Sequence, residues 1–107
     1  MHKTHKAVTL LALAACLQAC TWVKPTPEGE KVRVAQADEV RDCERKGEVA
    51  SILKSRIAGF ERKPGKVAGE LEALARNEAA LMGGDTVAAE SPVKDGRQLF
   101  GVYRCRP

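Results

Sequence analysis

Thiols are the most versatile side chains in this 107-residue chain, and there are four: Cys16, Cys20, Cys43 and Cys105. A cysteine can be acylated, pair with a second cysteine, ligate a metal or attack a substrate, and spacing separates these roles. No Cys-x-x-Cys pair is present, so a dithiol redox centre is not indicated. A metal site lacks nitrogen ligands over most of the chain, because the only histidines are His2 and His5. Ser51, Ser55 and Ser91 lie in no Gly-x-Ser-x-Gly setting. Met82-Gly83-Gly84-Asp85 follows a helical pattern where a phosphate-binding loop would precede one. The residue types therefore point away from an enzyme, a metal, a cofactor or a small-molecule substrate. Acylation and disulfide formation are the chemistry left to the cysteines.

The first two cysteines sit in an export signal. Lys3 and Lys6 form a basic start, and Ala7 to Leu17 is an uncharged, mostly apolar run. As a helix of eleven residues that run covers ~17 Å, too short for the ~30 Å hydrocarbon core, so it reads as a removable signal. Each cysteine follows an alanine, as in a bacterial lipobox, where the cysteine after the cut is acylated. Leu13-Ala14-Ala15-Cys16 fits that consensus more closely in its letters, and Leu17-Gln18-Ala19-Cys20 gives the apolar core a better length. The polar sequence directly after Cys20 favours the second site, as does the cysteine count. With Cys16 removed and Cys20 acylated, Cys43 and Cys105 are the remaining thiols, and an oxidising compartment should join them.

The expected organisation is a signal over residues 1–19, a lipidated cysteine with a flexible tether over 20–31, and a small domain over 32–107. Loss of Lys3 and Lys6 leaves 16 basic against 14 acidic residues, a balance near +2 in place of the formal +4. That is too little to indicate nucleic acid. Thr21 to Lys31 (TWVKPTPEGEK) holds Pro25 and Pro27 and reads as an extended spacer, reaching ~30 Å at ~3.1 Å per residue. Trp22, two residues from the lipid, suits the headgroup layer; packing on the domain is the plainer alternative.

Period and punctuation then set the elements. Val32 to Ala35 alternates as a half-buried strand, and Gly47 to Leu53 reads as a second. Lys54 to Lys66 reads as a loop or hairpin extension. Val67, Leu71, Leu74, Ala75, Leu81 and Met82 form one helical stripe, stopped by Gly83-Gly84, with Glu70, Glu72, Arg76 and Asn77 on the other side. Glu78 projects into that stripe, so it is either paired at the rim or functional. Asp85 to Glu90 is a short strand, Ser91 to Gly96 a turn, and Gln98 to Cys105 the strongest strand. The order strand, strand, helix, strand, strand predicts an α+β domain: a small, mostly antiparallel sheet with one packed helix, stapled by one disulfide.

Three stretches carry a resemblance: Cys20-Thr-Trp-Val with Thr26 to Val34 behind it, Ala75 to Val87, and Phe100 to Cys105. Together they resemble the YjeI-like family of small proteobacterial lipoproteins, whose function is unassigned. The resemblance implies acylation at Cys20, since the family's lipid cysteine precedes that Trp-containing segment. More distantly, the cysteine before a strand and the cysteine on the last strand resemble the signalling domain of the Rcs stress-sensor lipoprotein, which has two disulfides where this chain has cysteines for one.

These readings converge on a lipid-anchored envelope protein that binds or senses, with an envelope protein as candidate partner and no nucleic acid. Thr21 after Cys20 lacks the aspartate of inner-membrane retention, so the expected location is the outer membrane, facing the periplasm. Lys54, Arg56, Arg62, Lys63 and Lys66 form the first candidate contact surface, against the plainer reading of a solvated face. The alternative job is structural contact with peptidoglycan or lipopolysaccharide through the same basic residues.

Overall fold

The computed structural model describes residues 23–53 and 64–107. A helical turn α1 (Pro27–Glu30) leads into β1 (Arg33–Ala35), a 3-10 turn (Ala37–Val40), β2 (Glu44–Ile52), the long helix α2 (Pro64–Leu81), β3 (Thr86–Ala89) and β4 (Arg97–Arg104). The strands form one sheet in the order β1-β3-β4-β2, in which only β1 and β3 are parallel. The predicted α+β class and the Cys43–Cys105 disulfide are both present.

The core lies between α2 and one face of the sheet. Val67, Leu71, Ala75 and Ala79 meet Val32, Val49, Val87, Phe100 and Val102 there, with Leu53, Ala80 and Met82 at the margin. The strand alternation places Phe100 and Val102 on this face and Leu99, Gly101 and Tyr103 on the other. β3 has Thr86, Val87 and Ala88 all buried, as its neighbour β4 has Phe100, Gly101 and Val102. The 3-10 turn lies against β3 from the far side, and the small side chains of β3 let that turn approach. Val40, the one large apolar residue of the turn, is thereby 3% exposed.

Several expectations need correction. The second strand starts at Glu44, directly after Cys43, and a bulge between Arg45 and Gly47 absorbs the charged residues that hid it. The helix starts at Pro64, where a loop was expected, because proline's fixed φ and missing N–H suit a first helical turn. The rest of the expected loop, residues 54–63, lies outside the described residues. Leu81, assigned to the apolar stripe, is 82% exposed, whereas Glu70, assigned to the solvent side, is 6% exposed. Glu78 is exposed, away from the core. Positions 70 and 81 are about 20° apart around α2, so they differ mainly in place along it, Leu81 being its last residue, and α2 packs on α1 as well as on the sheet. A single stripe does not describe a helix with two covered flanks.

The predicted reversal at Asp95-Gly96 is a tight turn with positive φ at both residues, +51° and +69°. Lys94 and Arg97 exchange both backbone hydrogen bonds across it, at 3.0 Å each. At the opposite end of the sheet, Cys43 and Cys105 bring their Cα atoms within 4.6 Å. Their separation of 62 positions makes the closed loop long enough to contribute about 4 kcal/mol on chain-entropy grounds. Changing both cysteines to serine should lower the unfolding free energy in urea by about that amount, and reductant should then have no further effect on the variant.

Candidate functional site

Three polar arrangements stand out among the described residues, and each is built from groups distant in sequence. The first is on α2. Arg76 Nε donates to the carbonyls of Gly29 and Val32 at 3.1 and 2.9 Å, and its Nη2 donates to Glu30 O at 2.9 Å. Asn77 Oδ1 accepts from Thr26 N at 2.7 Å and from Thr26 Oγ1 at 3.3 Å, while Nδ2 donates to Lys24 O at 3.2 Å. Thr26 in turn caps α1, its hydroxyl accepting from Gly29 N at 3.0 Å. Gly29 is buried against the helix, and a Cβ there would collide with the Oδ1 of Asn77 and press tightly on its Cα. Adjacent helix residues thus clasp residues 24–32 to the domain. The tether assigned to residues 20–31 is therefore not free from Lys24 onward, and the domain begins before residue 32.

A second arrangement closes the disulfide end. Asp85 Oδ1 accepts from Cys105 N and from Thr86 Oγ1, and Oδ2 accepts from Arg106 N, all at 2.9 Å. Burial pushes the Asp85 carboxyl up, but these three donors outweigh it and hold the group below its ordinary range. Asp85 also joins the strands through its backbone, donating to Tyr103 O and accepting from Arg33 N.

The third arrangement lies on the sheet face away from α2. Arg45 Nη1 donates to Glu90 Oε2 at 2.7 Å and to the Tyr103 hydroxyl at 2.9 Å, and Nη2 donates to Glu90 Oε1 at 3.2 Å. Its guanidinium carbon is 5.6 Å from the Tyr103 ring centroid, and Glu48 Oε2 is 3.6 Å from Nη2. The hydrogen bond from Arg45 draws the Glu90 carboxyl below its usual range, against the effect of burial. The bond to Glu90 likewise holds Arg45 more firmly protonated. Gly101 makes the arrangement fit. A Cβ there would lie 2.8 Å from Glu90 Oε2 and from the Cε2 and hydroxyl of Tyr103.

Chemically, these groups hold charge and shape. The Arg45 guanidinium is spent on Glu90 and Tyr103, and both shifted carboxylates are ionised at neutral pH and occupied by donors. Among the described residues no three of His, Cys, Asp and Glu are grouped as a metal would require. Of the residues singled out in the sequence, Cys43 and Cys105 are brought together. Lys66 is on the exposed first turn of α2. Cys16, Cys20, Trp22, Lys54, Arg56, Arg62 and Lys63 lie outside the described residues. Sequence reasoning missed Arg45, Glu90, Arg76 and Asn77. Gly101 inside a strong strand was the available signal, since such a glycine marks a close approach.

A carboxylate whose pKa is depressed by folding stabilises the fold above its unfolded pKa, and that contribution fades as pH falls through the folded value. Asp85 and Glu90 should therefore leave stability flat near neutrality and erode it below about pH 4. Asp85→Asn should be less stable at pH 7 by about 1–3 kcal/mol. Its melting temperature should also fall less steeply between about pH 5 and 3 than that of the parent, as followed by circular dichroism.

No curated protein and no solved structure matches the chain. A family model does match, over residues 23–105, a span that takes in the clasped segment at one end and the disulfide's second cysteine at the other. The chain accordingly belongs to the family described as a domain of unknown function, DUF4156.

Proposed function

We propose that the chain is a lipid-anchored envelope module that works by binding, as a stress-sensing or adaptor domain, held to the outer membrane through acylated Cys20 and facing the periplasm. The observation that carries this reading is the polarity of the domain. The clasp pins Lys24 and Thr26 to Asn77, one turn from the C-terminal end of α2. That end of the helix meets the disulfide end of the sheet, where Asp85 N donates to Tyr103 O and Cys43 joins Cys105. The basic run is flanked at the other end. Leu53 N donates to Gly96 O in the hairpin turn, and Pro64 opens α2 roughly 27 Å from its far terminus. An anchor at one end and a basic segment flanked at the other suit a module that presents its charge away from the membrane.

The resemblance to the YjeI-like lipoproteins and, more distantly, to the Rcs stress-sensor domain supports the same reading. So do the ion networks, whose charged groups are engaged in holding shape. The alternative is structural: a domain that touches peptidoglycan or lipopolysaccharide phosphates through Lys54, Arg56, Arg62, Lys63 and Lys66, with salt-sensitive affinity.

In-cell crosslinking of the native chain, followed by mass spectrometry, tests the proposal. Expected are an acylated amino terminus at Cys20 and a discrete protein adduct, which should vanish when the five basic residues are changed to glutamate. Adducts to glycan alone, matched by salt-sensitive binding to purified sacculi, would select the structural reading. A free or differently cut amino terminus would overturn both.

A further inference from the structure

The clasp changes what the lipid anchor can do. From Cys20 to Lys24 there are four Cα–Cα steps of at most ~3.8 Å, so an acylated Cys20 lies within ~15 Å of the point where the chain is pinned. A domain of this size is about 25–30 Å across. A leash of half a diameter does not let the domain turn over. It keeps one face against the headgroups.

We propose that this face is a bilayer-contact surface centred on Leu81, with a phospholipid membrane as its occupant. The inference rests on the lipid-anchored reading above. Leu81 is one helical turn beyond Asn77, whose side chain holds Lys24. At 82% exposure it is the most exposed large apolar residue described. Val34, 42% exposed, follows two residues after Val32, whose carbonyl accepts from Arg76. Charge does not decide the matter: Lys24, Lys31 and Arg33 balance Glu28, Glu30 and Glu78, all exposed around the clasp. Leash length and apolar exposure decide it. The face reads as one that rests in the headgroup layer with Leu81 pointing toward the acyl boundary. The other exposed large apolar residues described, Ile52 and Val93, belong to the strand end and loop beside the hairpin turn, at the far end of the sheet.

The test uses the full, acylated chain in vesicles of phosphatidylethanolamine and phosphatidylglycerol doped with a shallow spin-labelled lipid. A fluorophore is attached through Leu81→Cys in one sample and Val93→Cys in another. The label at position 81 should be quenched several-fold more than the label at 93. Inserting ten Gly/Ser residues between Trp22 and Val23, which leaves every clasp contact in place, should abolish most of that difference, since such a linker adds ~18 Å of average reach. Equal quenching at the two positions would overturn the bilayer-contact surface, whereas quenching at 81 that survives the insertion would keep the surface and overturn the leash as what holds it there. Mass spectrometry of the same samples separates the two failures. An acylated Cys20 with equal quenching leaves the anchor standing and removes the contact face. An unacylated terminus removes both.

Discussion

Two neighbouring side chains, Arg76 and Asn77, determine where this domain begins. Between them they donate to the carbonyls of Lys24, Gly29, Glu30 and Val32 and accept from Thr26. Backbone groups between the amino-terminal segment and β1 would otherwise depend on water, because a helical turn of four residues satisfies few of its own. Without the clasp, a segment with two prolines and four charges has little apolar area to hold it anywhere. With it, α1 becomes a second layer over α2 and delivers the chain into β1 beside β3. The short parallel pairing of β1 therefore depends on side chains of a helix some forty residues later in the chain.

The same dependence explains which parts of the fold were legible. Strand alternation in Gln98 to Cys105, the Asp95-Gly96 turn and the Gly83-Gly84 stop are local signals, and the structure bears them out. The disulfide was legible by counting thiols, which needs no geometry. The clasp was not. Arg76 and Asn77 are polar and fall off the apolar stripe, so periodicity assigns them to solvent. Their partners are backbone atoms, which every residue carries and no sequence pattern marks. Glu70 and Leu81 are eleven positions apart, about 20° around a helix, so they share one side of α2, and periodicity does not say which end of that side is covered. Arg45 and Glu90 are 45 positions apart and meet only through the register of β2, β4 and β3. The glycine that makes room for them was visible, but its partners were not.

Covalent and electrostatic order are concentrated at one end of the sheet. There the disulfide, the three donors on Asp85 and the end of α2 close the chain on itself. β2 is an edge strand, and its first half carries Glu44, Arg45, Lys46 and Glu48 with a bulge among them. Charge and a bulge are how exposed edges resist pairing with a second chain. The uncharged half, Val49 to Ile52, lies toward the hairpin end. Protection of the edge is thus strongest where the clasp also sits, the end that the proposed anchor would crowd against its neighbours in a membrane.

A short leash also bears on how such a module would recognise a partner. Association in solution sacrifices translational and rotational freedom of both molecules. A domain already oriented by a lipid has given up much of its share, and the anchor confines it to a layer beside the membrane. Fewer new contacts are then needed for a given affinity, and effective concentration is set by reach. A freely swinging domain on a ~30 Å tether would sample every orientation and meet partners by any face. Under the proposed acylation of Cys20, a domain clasped within ~15 Å of its lipid would present one end outward. For the proposed adaptor role, Arg76 and Asn77 would then act as positioning residues: they touch no partner, yet they select which surface a partner can reach.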